Sequence, residues 1–107
     1  MARIPTKFNV PSHLQVGLGR AALLASVSRS EIMNRALATA THNFVAVVAY
    51  RLTQYPISLE SIPMSYTVEP TNLEAVQGIA DKLSTSRDQV VRLALDYYLR
   101  EGNKNGL

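Results

Sequence analysis

Two short stretches of the chain alternate apolar and polar residues, and each then gives way to a longer apolar rhythm. In the first stretch Thr6, Phe8 and Val10 alternate with Lys7 and Asn9; in the second Met64, Tyr66 and Val68 alternate with Ser65 and Thr67. A period of two sends neighbouring side chains to opposite faces, so each stretch predicts a short strand with one buried face. Each strand ends near a proline, Pro11 or Pro70, which has no N–H to give to a ladder. Beyond the first strand Leu14, Leu18, Ala21, Ala22 and Ala25 fall on one helical face, followed by Ile32, Met33, Ala36, Leu37 and Ala40. Beyond the second, Leu73, Val76, Ile79, Ala80 and Leu83 form one stripe, and Val90, Val91, Ala94, Leu95, Tyr98 and Leu99 another. Stripes of this spacing predict four amphipathic helices whose apolar faces are core and carry no chemistry.

The two halves match at an offset of 58 residues. The segment from Ser28 to Leu37 lies over the segment from Ser86 to Leu95, Phe8 over Tyr66, Val10 over Val68, Leu18 over Val76, and Ala22 over Ala80. An internal repeat decides architecture before any local detail does. Helix starts are marked at matching places: Ser12 with Gln15, Ser28 with Glu31, Thr71 with Glu74, and Ser86 with Gln89 all have capping-box spacing. Gly17 and Gly19 weaken the first helix by roughly 1 kcal/mol each relative to alanine. The second helix has no breaker before Tyr55-Pro56 and is expected to run on through Phe44, Val45, Val47, Val48 and Leu52. The expected organisation is a first unit over 1–54 with an extended second helix, a proline-containing linker over 55–63, and a second unit over 64–107, both sharing one core.

Composition narrows the possible chemistry. With 47% hydrophobic residues, the chain suits a folded globule. It has no cysteine, which excludes disulfides, thiol catalysis and Cys-ligated zinc. His13 and His42 have no acidic partner at metal spacing and read as surface or boundary positions. The serines have no nucleophile-elbow context and read as caps. No acid-base cluster or glycine-rich phosphate loop is present, so neither catalysis nor a cofactor is expected. The opening residues do not read as a secretory signal, and the apolar run from Phe44 to Tyr50 is too short to cross a bilayer, so a cytoplasmic protein without a membrane partner is expected. Charge is lopsided. Residues 1–54 carry six basic groups against Glu31, a net of +5, whereas residues 55–107 carry five basic and seven acidic groups, a net of −2. A basic half suits a polyanion.

A lone short strand needs a partner, and the repeat supplies one within the chain. Paired antiparallel, the two strands would bury Phe8, Val10, Tyr66 and Val68 on the helices and expose Lys7, Asn9, Ser65 and Thr67. A two-stranded ribbon fits the DNA major groove, where asparagine can pair bidentately with adenine and lysine can reach guanine or a phosphate.

The arrangement resembles the ribbon-helix-helix family, the MetJ/Arc-type DNA-binding proteins, over about residues 5–41 and 63–100. The resemblance rests on the strand running into Pro11, on Leu14, Leu18, Ala21 and Ala22, and on the SRSE segment Ser28–Glu31 followed by Ile32, Met33, Ala36 and Leu37. SRDQ at Ser86–Gln89, then Val90, Val91, Ala94 and Leu95, repeats that pattern. It implies a mostly α fold with a two-stranded antiparallel ribbon, here a tandem pseudo-dimer in one chain, similar to the fused layout of TraY-type relaxosome proteins. It implies sequence-specific binding of double-stranded DNA, with Lys7, Asn9, Ser65 and Thr67 as base readers. Backbone amides at the second helices, at Ser28, Arg29 and Ser30 and at Ser86, Arg87 and Asp88, would clamp phosphates. Two departures stand out: the second strand has no basic reader, and Asp88 brings a negative charge to its clamp. Transcriptional repression is the first expectation, with self-association of two chains on adjacent sites. A relaxosome or plasmid DNA-processing accessory role comes second. A protein-interaction module docking through Phe44–Leu52, or an antitoxin, comes third. A helix-turn-helix over Ala80–Val91 is a rival fold that leaves the strands unexplained.

Overall fold

The computed structural model describes residues 2–42 and 61–102. The expected helical extension over 44–52 lies outside the described residues, as do 55–60 of the expected linker. The described elements are β1 (Ile4–Pro11), α1 (Ser12–Ala25), α2 (Arg29–His42), β2 (Ser61–Val68), α3 (Pro70–Leu83) and α4 (Arg87–Tyr97), which widens into a π-helical turn over Tyr98–Gly102. The fold is thus mostly helical, with a two-stranded antiparallel sheet. α1 and α3 begin and end 58 residues apart, as do the starts of α2 and α4.

β1 and β2 pair antiparallel from Ile4 opposite Val68 to Pro11 opposite Ser61. Lys7 lies opposite Ser65, the residue 58 positions further on, so the axis that exchanges the strands passes between these two side chains. Phe8, Val10, Tyr66 and Val68 are buried, while Lys7, Asn9, Ser65 and Thr67 are exposed. The two aromatics, Phe8 and Tyr66, lie near each other beneath the ribbon, with ring centroids 6.5 Å apart.

β2 begins at Ser61, inside the expected linker, and so contains Pro63. Pairing geometry explains how the ribbon tolerates its prolines. The N–H groups of Asn9 and Thr67 are bonded to side chains outside the ladder. Backbone polar groups alternate sides along a strand, so every odd-numbered residue turns its N–H away from the partner strand. Pro5, Pro11 and Pro63 all stand at odd positions, where the ladder requires no donor.

Helix starts follow the expected caps at only two of four places. Ser28 Oγ accepts from Glu31 N at 3.0 Å, and Ser86 Oγ from Gln89 N at 3.2 Å. Ser12 and Thr71 do not cap. The caps there are Pro11 and Glu69, with no side-chain cap bond, because each strand runs straight into its helix in extended conformation (ψ 143° and 136°). Pro70 then occupies the first turn, where its fixed φ suits a helix and its missing N–H costs nothing. Gln15, released from capping, donates to the carbonyls of Val10 and Ile62, both at 3.1 Å, and ties α1 to both strands.

α1 continues through both of its glycines, each of which lies close to the end of a long side chain. A Cβ on Gly17 would meet Leu99 Cδ1 at 3.0 Å, and one on Gly19 would meet Arg29 Nη2 at 3.2 Å. α1 and α3 end alike without glycine: Ser26 and Ser84 adopt the left-handed conformation (φ 56° and 52°). The following amides, Val27 N and Thr85 N, close back on Ala22 O and Ala80 O at 3.1 and 3.0 Å, which is the Schellman closure.

The core joins Phe8, Val10, Leu14, Leu18, Ile32, Met33, Leu37, Tyr66, Val68, Val76, Val90, Val91 and Leu95 with Leu93, which the stripe had omitted. Ala25, expected on the buried face, is exposed because α1 ends there at the edge of the core. Asn34 is the polar centre of this core and is only 4% exposed. Its Nδ2 donates to Ser30 O at 2.8 Å and Thr67 O at 2.9 Å; its Oδ1 accepts from Glu69 N and Asn72 Nδ2, both at 2.9 Å. All four hydrogen-bonding positions of the carboxamide are filled. Truncation leaves buried backbone groups unpaired, so Asn34→Ala is expected to cost about 2–3 kcal/mol in urea unfolding. Ser26→Gly and Ser84→Gly are each expected to stabilise by about 0.5–1 kcal/mol in the same assay, because glycine removes the left-handed strain.

Candidate functional site

The solvent face of the ribbon presents Pro5, Lys7 and Asn9 beside Pro63, Ser65 and Thr67, all exposed. Lys7 and Ser65 form its central pair; Asn9 lies opposite Pro63 and Thr67 opposite Pro5. The four residues singled out from the sequence therefore share one surface, with the prolines at its corners. Prolines there stiffen the ribbon and contribute no side-chain donors.

Two helix starts flank this face. At the β2 side Ser30 Oγ accepts from Thr67 N at 2.9 Å. At the β1 side Asp88 Oδ1 accepts from Asn9 N at 3.2 Å, and Asp88 Oδ2 from Asn9 Nδ2 at 2.9 Å. One turn further into each helix, Asn34 Nδ2 donates to Thr67 O, and Arg92 Nε to Asn9 O at 3.5 Å. Residues 30 and 88, and 34 and 92, stand at corresponding places and serve corresponding atoms with different chemistry. The outward backbone groups of Asn9 and Thr67, which a two-stranded ribbon leaves unpaired, are satisfied in this way.

The remaining expected clamp residues are also placed. Ser28 and Ser86 are caps, with their hydroxyls already engaged. Arg87 lies over the Phe8 ring, its guanidinium carbon 5.9 Å from the centroid. Arg29 runs beside Gly19, and its charge opposes the effect of burial, which pushes the Tyr66 phenol above its ordinary value. Helix geometry leaves the first backbone N–H groups of α2 and α4 without intrahelical acceptors. Both helix starts thus direct backbone donors and positive dipole ends towards the flanks of the ribbon. Each helix start carries one carboxylate, Asp88 at α4 and Glu31 at α2; Glu31 is paired with Arg3 and Arg35, whereas Asp88 faces Asn9.

Sequence reasoning missed Asn34, Asn72 and Arg92, and it gave Gln15 a capping role in place of its bonds to the strands. Nothing in the local pattern set Asn34 apart from its polar neighbour Arg35, which is exposed. Sequence reasoning also missed the ion-pair group at the edge of the face. Arg3 Nη2 meets Glu31 Oε1 at 2.7 Å and Glu69 Oε1 at 3.4 Å, and Arg35 Nε meets Glu31 Oε2 at 3.1 Å. Hydrogen bonding from Arg3 holds the Glu31 carboxyl below its ordinary value.

α4 has little surface to offer a groove. Val90, Val91, Leu93, Ala94, Leu95 and Asp96 are all buried, so its sides are committed to the core. This disfavours the helix-turn-helix reading of Ala80–Val91. Among the described residues no group of three potential metal ligands comes together, and no helix is long and apolar enough to cross a membrane. No family model, curated protein or solved structure matches the chain.

The Glu31 group yields a pH dependence. A carboxyl whose folded value is depressed contributes stability that is present above the unfolded value, here 4.5, and lost as pH falls through the folded value. Urea midpoints measured from pH 7 to pH 3 are therefore expected to fall further for the native chain than for Glu31→Gln. Equal losses would show that this carboxylate contributes nothing.

Proposed function

We propose that the chain is a sequence-specific double-stranded DNA-binding protein of the ribbon-helix-helix type. Both units reside in one chain, and the protein acts in the cytoplasm as a transcriptional repressor that occludes a promoter. The observation that carries this reading is the register: Lys7 and Ser65, equivalent in the repeat, lie directly opposite each other at the centre of an exposed polar ribbon. An antiparallel ribbon with such an axis matches the pseudo-twofold of duplex DNA, and its width suits the major groove. Lys7, Asn9, Ser65 and Thr67 read base edges. The starts of α2 and α4, at Ser28–Ser30 and Ser86–Asp88, meet the phosphates on either side. Because the two strands carry different side chains, the preferred site is not a palindrome.

The reading is tested by selecting binding sites from a randomised duplex library and then measuring affinity across salt concentrations. Lys7→Ala and Ser65→Ala are expected to relax the preference at central base pairs. Arg29→Ala is expected to weaken all duplexes alike and to lower the salt slope by about one. The regulatory part is tested by a gel shift on the DNA flanking the protein's own gene, followed by a reporter fused to that promoter. Failure to bind any duplex at low salt rules out DNA binding; binding elsewhere with no effect on the reporter rules out repression.

A further inference from the structure

Asp88 stands where the phosphate-clamp reading expects a neutral or cationic residue, yet its carboxylate is not idle. It receives two hydrogen bonds from a single residue, the backbone N–H of Asn9 at 3.2 Å and the Asn9 Nδ2 at 2.9 Å. A carboxylate only accepts, so the contact fixes the orientation of the Asn9 carboxamide: nitrogen towards Asp88, oxygen away from it. Because the same carboxylate also holds the Asn9 backbone, it lies on the backbone side of the amide. The N–H it takes is therefore the one nearer Cβ. The outer edge, Oδ1 and the second N–H, remains a paired acceptor and donor. That pair matches the N6 donor and N7 acceptor of adenine. The other half of the ribbon lacks the device: Ser30, in the corresponding place, bonds only the backbone of Thr67.

We infer that Asp88 is a positioning residue that locks Asn9 as an adenine reader, and that it gives up phosphate attraction at its own helix start in doing so. The inference rests on the DNA-binding reading of the ribbon. It assigns the β1 half the sharper base preference and the α2 flank, where the Glu31 charge is balanced by Arg3 and Arg35, the stronger phosphate contact. The two halves of one face thus divide the work, one favouring specificity and the other affinity.

Asp88→Ser installs the residue found at the corresponding place, and it separates this role from a structural one because it moves two quantities in opposite directions. Binding is measured with a duplex selected by the native chain, with duplexes substituted at the single adenine that depends on Asn9, and with an unselected mixed-sequence duplex. Asp88→Ser is expected to reduce the discrimination at that base pair on the order of tenfold, while binding the unselected duplex as tightly as the native chain or more tightly, since a negative charge has been removed. In an Asn9→Ala background the same substitution is expected to leave discrimination unchanged. Unaltered discrimination in Asp88→Ser overturns the inference, as does an equal loss on every duplex. A second measurement needs no DNA. The side-chain amide of Asn9, followed by NMR in the free protein, is expected to be shifted and slowed in exchange by Asp88, and to lose both features in Asp88→Ser. An unchanged amide signal overturns the locking whatever the DNA results. If the signal changes while no duplex is bound, the DNA reading fails and the adenine assignment fails with it.

Discussion

Everything in this fold depends on closing an eight-residue antiparallel ribbon between segments far apart in the chain. A two-stranded ribbon alone is marginal in water, because half of its backbone groups have no partner strand and only one face is covered. Both deficits are met by the helices. Phe8, Val10, Tyr66 and Val68 sink into the core on one side. At the edges α2 and α4 reach across to bond the outward amides and carbonyls of Thr67 and Asn9. Each second helix thereby ties down the strand of the other half, and neither half is complete without its counterpart.

That interdependence allows the two halves to diverge. The corresponding strand carbonyls are met by Asn34 in one half and Arg92 in the other, and the corresponding amides by Ser30 and Asp88. Asn34 is buried with all its bonding positions filled, which makes its half the more rigid anchor. Arg92 is partly exposed and makes a longer bond to the same kind of carbonyl. Such divergence is open to two halves within one chain and closed to a symmetric pair of identical chains, in which any substitution appears twice.

The same asymmetry extends to the outer surfaces. α1 exposes Val16, Leu23 and Leu24, whereas the corresponding places on α3 carry Glu74, Asp81 and Lys82. The axis between Lys7 and Ser65 is thus a feature of backbone and core. It does not extend to surface charge, which the sequence had already divided between a basic first half and an acidic second half.

The sequence by itself determined the strands, the inward and outward residues of each, the helix stripes and the offset between the halves. All of these are periodicities, and periodicity follows from backbone geometry that every residue obeys locally. It also marked Ser28 and Ser86 as caps, since a cap bond spans only three residues. It misplaced the starts of α1 and α3, where the strand entering the helix overrode a capping pattern, and the start of β2, where the absence of ladder bonds at odd positions made a proline harmless. Tertiary structure alone decided that Asn34 would lie at the centre of a bonded core, that Gln15 would tie both strands to α1, and that Asp88 would hold Asn9. Each of these depends on which atoms meet across long stretches of chain, and residue spacing does not encode that meeting. Once the register of the ribbon is set, the positions of all three follow.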